Sequence, residues 1–216
     1  MAEHMNLTER AEDMRSFFER KADGYDDVHL AFMETKRLLT EYLRDGTSRI
    51  LDLGGGTGLE LLPLFERFPD ARVTVVDLSP AMLGALMKRP FADRVTAVCG
   101  DFFEVDFGMN FDAVISTSAL HHFEPEDKRV LYRKICGCLA PGGLFLNADK
   151  ISVNRQAEAD AFAYYRTHKD NPECAHIDTP LAPSTEAELL EDAGFARIEV
   201  RLTDRDNYRL FIAEKQ

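Results

Sequence analysis

The nine residues Ile50-Leu51-Asp52-Leu53-Gly54-Gly55-Gly56-Thr57-Gly58 constrain this chain more than any other stretch of it. A short apolar run that enters D-x-G-x-G-x-G and is followed by a helical pattern from about Leu59 requires a strand, a tight turn and a helix in that order. Glycine at the turn removes the Cβ, so a ligand can lie against main-chain N–H groups. Strand, glycine turn and helix together are the opening unit of an open α/β sheet.

The rest of the chain repeats that rhythm. Residues 49–53, 72–76, 94–98, 111–115 and 144–148 are short β-branched or Leu-rich runs, which read as buried parallel strands. Helical segments lie between them: Ser79-Pro80 opens one with a hydroxyl at the N-cap and Pro at N1, and residues 126–139 form another, carrying Cys136 and Cys138. Two amphipathic helices over 7–22 and 28–43 come first, the second stopped by Asp45-Gly46. Beyond Asp149 the pattern changes. Residues 154–170 form a polar helix with an aromatic cluster, 171–183 a Pro-rich loop, and Thr185 with Glu188 a capping box whose helix ends at Gly194. Residues 197–202 and 208–213 close the chain as an antiparallel pair of strands.

Composition limits the partners. The chain of 216 residues carries 26 Lys+Arg against 38 Asp+Glu, a net charge of −12, and is 45% hydrophobic. That excludes intrinsic disorder and argues against sequence-blind binding of nucleic acid or anionic membrane, both of which need basic surface. No apolar run reaches the roughly 20 residues that span a bilayer, and MAEHMNLTERAEDMR lacks the apolar stretch of a signal peptide, so a cytoplasmic location is expected. Cys99, Cys136, Cys138 and Cys174 have no metal-ligand spacing and read as reduced, mostly buried thiols, with no metal.

Three strands end in ligand-type groups at one edge of such a sheet. Asp77 ends the second, about 20 residues after the glycines, where a carboxylate accepts both ribose hydroxyls of a bound nucleoside. Asp101 ends the third, beside Phe102, whose ring suits a purine. Asp52 precedes the glycines, where it would repel a pyrophosphate but suits an ammonium. Leu59 stands where a dinucleotide site needs its third glycine, and no G-K-[ST] follows the loop. The ligand these features describe is an adenosine with a positive, phosphate-free tail.

In combination, ILDLGGGTG, VVDLSPAML, CGDFFE, FDAVISTSALHHF and LAPGGLFLNADK resemble the motifs of the class I S-adenosylmethionine-dependent methyltransferases of small-molecule type, over residues 14 to 213. The resemblance implies an α/β Rossmann-like, doubly wound seven-stranded sheet of order 3-2-1-4-5-7-6 with strand 7 antiparallel. It implies one methyltransferase domain over 1–216, in which 1–45 form an N-terminal helical lid and 150–183 a helical insertion after strand 5 on the substrate side. The cofactor would be S-adenosyl-L-methionine and its product S-adenosyl-L-homocysteine. Gly54, Gly55 and Gly56 would cradle it, Asp52 would hold its ammonium through water, Asp77 its ribose, Leu78 and Met82 its adenine faces, and Asp101 with Phe102 its adenine edge. Ser116 and Thr117 would line the methionine moiety.

The resemblance also implies transfer of a methyl group to a small-molecule acceptor, with an O, N or C nucleophile all open. His122, just past the fourth strand, is the candidate general base, and His121, Tyr25 and Tyr165 are candidate substrate contacts, with Tyr164, Arg166 and His168 nearby. Two other readings share the cofactor. One is an enzyme that modifies the cofactor itself, like a carboxy-S-adenosylmethionine synthase of the tRNA wobble pathway, with Arg166 or Arg201 pairing the added carboxylate. The other is a non-catalytic S-adenosylmethionine-binding regulator. Neither membrane nor nucleic acid is expected as a partner, and both a monomer and a homodimer are compatible with the sequence.

Overall fold

A computed structural model describes residues 7–21, 24–168 and 178–216, the first seven of them as backbone only. Cys174 and most of the expected Pro-rich loop lie outside the described residues. Seven strands, β1 (Arg49–Leu53), β2 (Arg72–Asp77), β3 (Val95–Cys99), β4 (Phe111–Thr117), β5 (Leu139–Lys150), β6 (Phe195–Leu202) and β7 (Tyr208–Lys215), form one sheet of order β3-β2-β1-β4-β5-β7-β6. Neighbours from β3 to β5 are parallel, and β7 runs antiparallel to both β5 and β6. This is the order and direction that the resemblance implies.

The helices are α1 (Leu7–Lys21), α2 (Tyr25–His29), α3 (Met33–Glu41), α4 (Leu61–Arg67), α5 (Pro80–Leu86), α6 (Pro125–Cys138), α7 (Arg155–His168) and α8 (Pro183–Asp192). They cover both faces of the sheet, so its central strands are buried on both sides. Ile50, Leu51 and Leu53 of β1 are all fully buried, as are Val114 and Ile115 of β4. One apolar core lies beneath α6 and α8, around Leu131, Ile135, Phe145 and Phe211; the other lies beneath α3, α4 and α5, around Leu39, Ile50, Leu64 and Leu86. Each such side chain contributes about 1.5–3 kcal/mol relative to its exposed state.

Ion pairs fasten the outer helices. Lys128 of α6, fully buried, donates to Glu186 of α8 at 2.8 Å, and Tyr132 donates to the same carboxylate. A buried lysine is tolerable because its acid is beside it.

The chain departs from the sequence-based expectation in four places. The expected helix over 28–43 is interrupted by a 3-10 turn at Leu30–Phe32, between α2 and α3. β5 begins at Leu139 rather than 144: Phe111 pairs with Leu139, and a register shift then brings Ala113 opposite Leu144. Pro141-Gly142-Gly143, which reads as a strand breaker, is the material of that irregularity. The capping box at Thr185 does not form, because α8 starts two residues earlier with Pro183 in its first turn, and the Thr185 hydroxyl donates to Glu158 of α7. Cys99 is exposed, since it ends an outer strand of the sheet. Cys136 and Cys138 are both buried, and burial pushes the Cys138 thiol up to about 11.

Candidate functional site

The C-terminal tips of β1, β2, β3 and β4 meet at one edge, as parallel topology demands. There Gly54 turns with φ 75°, and its N–H donates to Val76 O at 2.8 Å. A Cβ at Gly54 would lie 2.5 Å from the Ala119 methyl, so the loop after β4 closes on the glycine turn and only glycine permits the approach.

Asp77 completes the edge. One oxygen accepts the Gly56 N–H and the other the Ser79 N–H, each at 2.9 Å. Burial raises its carboxyl above the ordinary value, against the pull of the Ser79 and Gly56 N–H groups, and the negative field of Glu60 adds to the rise. Each oxygen keeps a further lone pair for a donor from a ligand. Ser79 in turn caps α5, its hydroxyl accepting the Met82 N–H at 3.3 Å. Asp101 accepts the Phe103 N–H at 2.8 Å, which places Phe102 against the glycine turn.

These groups line one open cavity. Seven of the ten expected cofactor residues are in its wall: Gly54, Gly56, Asp77, Leu78, Met82, Asp101 and Phe102. Gly55, Thr117 and Asp52 are not. A Cβ on Gly55 would meet Asp52 Oδ2 at 2.5 Å and Val75 at 2.7 Å, so this residue faces the sheet and not the cavity. The Thr117 hydroxyl is buried with no hydrogen-bond partner among the described residues, and Ser118, at φ 57°, takes its expected place in the wall.

Asp52 lies under the loop. Neither of its oxygens accepts an N–H or a donor from a neutral side chain among the described residues; it faces Glu60, which is itself held by Lys36 at 2.7 Å. Burial, followed by the negative field of Glu60, pushes the Asp52 carboxyl well above its ordinary value. Asp52 is thus absent from the cavity wall itself, where the expected contact to an ammonium runs through water.

A second chamber of about 1270 Å³ adjoins the first, and Phe18, Tyr25, Ser118 and His122 belong to the walls of both. Tyr25 comes from α2, where its ring stacks on His29 at 3.7 Å. Asp26, next to it, accepts from the Thr57 hydroxyl at 2.6 Å and pairs with Arg89 at 2.5 Å, which fixes α2 to the glycine loop. His121 and His122 sit in the turn after β4, buried, with rings 3.9 Å apart. His121 Nδ1 lies 2.6 Å from Asp149 Oδ1, while Asp149 Oδ2 accepts the N–H groups of Leu120 and His121 at 2.9 Å each. Burial would raise the Asp149 carboxyl, but His121, Lys128 and the Lys150 N–H outweigh it and hold it below the ordinary value.

Asp149 and Asp26 are the residues that sequence reasoning missed. Asp149 carried the same signal as Asp77 and Asp101, an acid at the tip of a strand. Tyr165, expected at the substrate, is in neither wall: it packs on Met14, because α7 turns its apolar stripe towards α1. Tyr164 is exposed and stacks on His168, Arg166 leans towards Phe162, and Arg201 pairs with Glu199 on the outer strand; none of these lines either chamber.

An adenosine-bearing sulfonium fits the first cavity on three observations: a glycine cradle that a Cβ would fill, an acid with spare acceptor capacity at the ribose position, and Leu78, Met82 and Phe102 as apolar walls. Among the described residues no His, Cys, Asp or Glu cluster could hold a metal ion, and no helix is long and apolar enough to cross a membrane.

Comparisons with known proteins agree with this geometry. Residues 50–143 match the family model described as a methyltransferase domain. The chain is 34% identical over 140 residues to a malonyl-[acyl-carrier protein] O-methyltransferase of Halorhodospira halophila, covering 62% of this chain and 47% of that one. It is 27% identical over 195 residues to a carboxy-S-adenosyl-L-methionine synthase of Nautilia profundicola, covering 82% and 81%. The chain thus spans less than half the length of the first malonyl-[acyl-carrier protein] O-methyltransferases it matches. Among solved structures, an O-methyltransferase family protein from Burkholderia thailandensis superposes with a TM-score of 0.73 at 22% identity, over 91% of this chain and 60% of that one.

Proposed function

We propose, from its fold and motifs, that the chain is a class I S-adenosylmethionine-dependent methyltransferase that moves a methyl group from S-adenosyl-L-methionine to a small-molecule acceptor. One observation carries this reading: a cavity built for an adenosine opens, through Phe18, Tyr25, Ser118 and His122, into a second chamber with room for an acceptor.

When bound, the cofactor supplies an electrophilic methyl on a sulfonium, and the broken C–S bond leaves its electron pair on sulfur as S-adenosyl-L-homocysteine. Asp77 and the main chain of Gly54 and Gly56 hold the nucleoside, Asp101 and Phe102 its base. Asp52, buried beneath the loop against Gly55, shapes the turn. Phe18 of α1 and Tyr25 of α2 stand in the walls of both chambers and put apolar surface where the methyl would pass, which favours a step in which charge is dispersed or lost. The acceptor's lone pair forms the new bond to carbon; where the acceptor is a hydroxyl or amine, its proton passes to His122 at the junction. His121, held by Asp149, fixes the turn that carries His122.

Titration calorimetry with S-adenosylmethionine and S-adenosylhomocysteine tests the premise, and release of the homocysteine product across a metabolite panel tests the reaction. Failure of both nucleosides to bind overturns the reading.

A second reading is favoured by the match to the carboxy-S-adenosyl-L-methionine synthase, which covers four fifths of both chains. Under it the cofactor itself is the product. The mass of nucleoside that copurifies with the protein separates the two, because a carboxylated cofactor is heavier than its parent.

A further inference from the structure

We propose that the acceptor chamber binds its substrate through a carboxylate and that Arg205, in the turn between β6 and β7, is the group that takes it. The inference rests on the methyltransferase reading above and adds a substrate class to it.

Arg205 is held ready but has no acid. Its guanidinium carbon lies 3.8 Å from the centre of the Phe32 ring, which fixes the plane of the fork. Among the described residues, the buried Nε has no hydrogen-bond partner and Nη2 reaches the Ala31 carbonyl, at 3.5 Å. No carboxylate among the described residues stands within ion-pair distance of it. The neighbouring acid in sequence, Asp204, is engaged by the Thr35 hydroxyl at 2.5 Å. The other inner cations differ: Lys36 has Glu60, Arg89 has Asp26, Lys128 has Glu186, and Lys150, in the same chamber wall, has Asp178.

A buried guanidinium nitrogen without an acceptor costs free energy, and native proteins retain such groups where a ligand supplies the acceptor. The chamber's charge agrees. Lys21, Lys150 and Arg205 line it against a single acid, Asp178, in a chain of net charge −12. Lys150 is already paired and Lys21 is exposed, with its ammonium over the Phe17 ring, so Arg205 is the part-buried cation left to face the chamber, and Asp178 disfavours a dianion such as a phosphate monoester. The planar fork of Arg matches the two oxygens of a carboxylate. Phe17 and Phe32 in the same wall provide apolar surface for the rest of the acid.

The test titrates the full chain, saturated with S-adenosylhomocysteine, with benzoate, phenylacetate and butyrate, each beside its primary amide. At least one acid is expected to bind about tenfold or more tightly than its amide, the size of a charge-assisted pair. Arg205→Gln is expected to erase that preference and Arg205→Lys to keep part of it, with melting temperature and S-adenosylhomocysteine affinity close to wild type in both. The proposal is overturned if no acid outbinds its amide, or if Arg205→Gln retains the preference. It is also overturned if a carboxyl-bearing nucleoside copurifies with wild type and is lost from Arg205→Gln, since the carboxylate then belongs to the cofactor. Titration with S-adenosylhomocysteine alone judges the cofactor reading separately; if that fails, the acid and amide titrations on the free protein still read the anion site.

Discussion

Asp77 accepts the Gly56 N–H at 2.9 Å, so the tip of β2 and the glycine loop form one rigid edge, and the acid is oriented before any ligand arrives. Asp77→Ala is expected to weaken S-adenosylhomocysteine binding by about 10- to 100-fold, the worth of one or two hydrogen bonds to a charged group. Hydroxyl donors favour the ionised carboxylate, and burial raises its pKa. Affinity should therefore fall as pH drops through that raised value, and the fall should be absent in Asp77→Ala. Calorimetry at several pH values reads both.

Gly55 and Gly84 should respond to alanine with opposite signs. At Gly55 the new methyl would meet Asp52 at 2.5 Å and Val75 at 2.7 Å in a packed interior, an overpacking that costs roughly 1–3 kcal/mol. At Gly84, in the middle of α5, nothing lies within 4 Å, and Ala should stabilise by about 0.5–1 kcal/mol. Thermal melts of the two variants against wild type decide the matter.

Asp149→Asn should destabilise the protein at neutral pH by about 1–3 kcal/mol, because His121 and two main-chain N–H groups lose a charged acceptor. The sign with pH follows from the lowered carboxyl. Between the folded and unfolded pKa values the unfolded chain binds more protons, so this contribution is present above the unfolded value and is lost as pH falls through the folded one. Urea titrations should show the gap between wild type and variant closing towards acid.

For Asp52 the sign is reversed. Its carboxyl is raised by burial and Glu60, so the folded chain binds the extra proton, and stability falls as pH rises through the raised value. Asp52→Asn should flatten that decline while leaving the loop in place, as denaturant midpoints from acid to alkaline pH will show.

Asp26 links α2 to the loop through Thr57 and Arg89. Both Asp26 and Arg89 are partly exposed, so the pair contributes little to global stability, on the order of 0.5 kcal/mol. Its loss should appear locally: in Asp26→Ala, amide exchange across residues 24–32 speeds up while the sheet is unchanged. S-adenosylhomocysteine should restore only part of the protection.

The sheet was legible because its central strands are buried on both faces and so read as short runs rich in Leu, Ile and Val; the ends of β1 coincide with the run 49–53. The start of β5 was not, because Pro141-Gly142-Gly143 carries the local signal of a break while pairing to Phe111 overrides it. The tips at Asp77 and Asp101 were legible from spacing alone. The inward turn of Asp52 was not, since its direction depends on Glu60 and Lys36, a helix and a loop away. Arg205 was invisible for the same reason: its meaning lies in what is missing around it in space. Tyr165 shows the converse, an aromatic that suggested a ligand and packs on Met14.

The four residues common to both chambers make the two ligands thermodynamically dependent. A molecule in either chamber touches Phe18, Tyr25, Ser118 or His122 and so alters the wall that the other meets. Whatever factor the acceptor contributes to cofactor affinity, the cofactor returns to the acceptor. Saturating one should therefore sharpen or blunt titration of the other by an identical ratio, and a variant at Tyr25 should change that ratio from both directions at once.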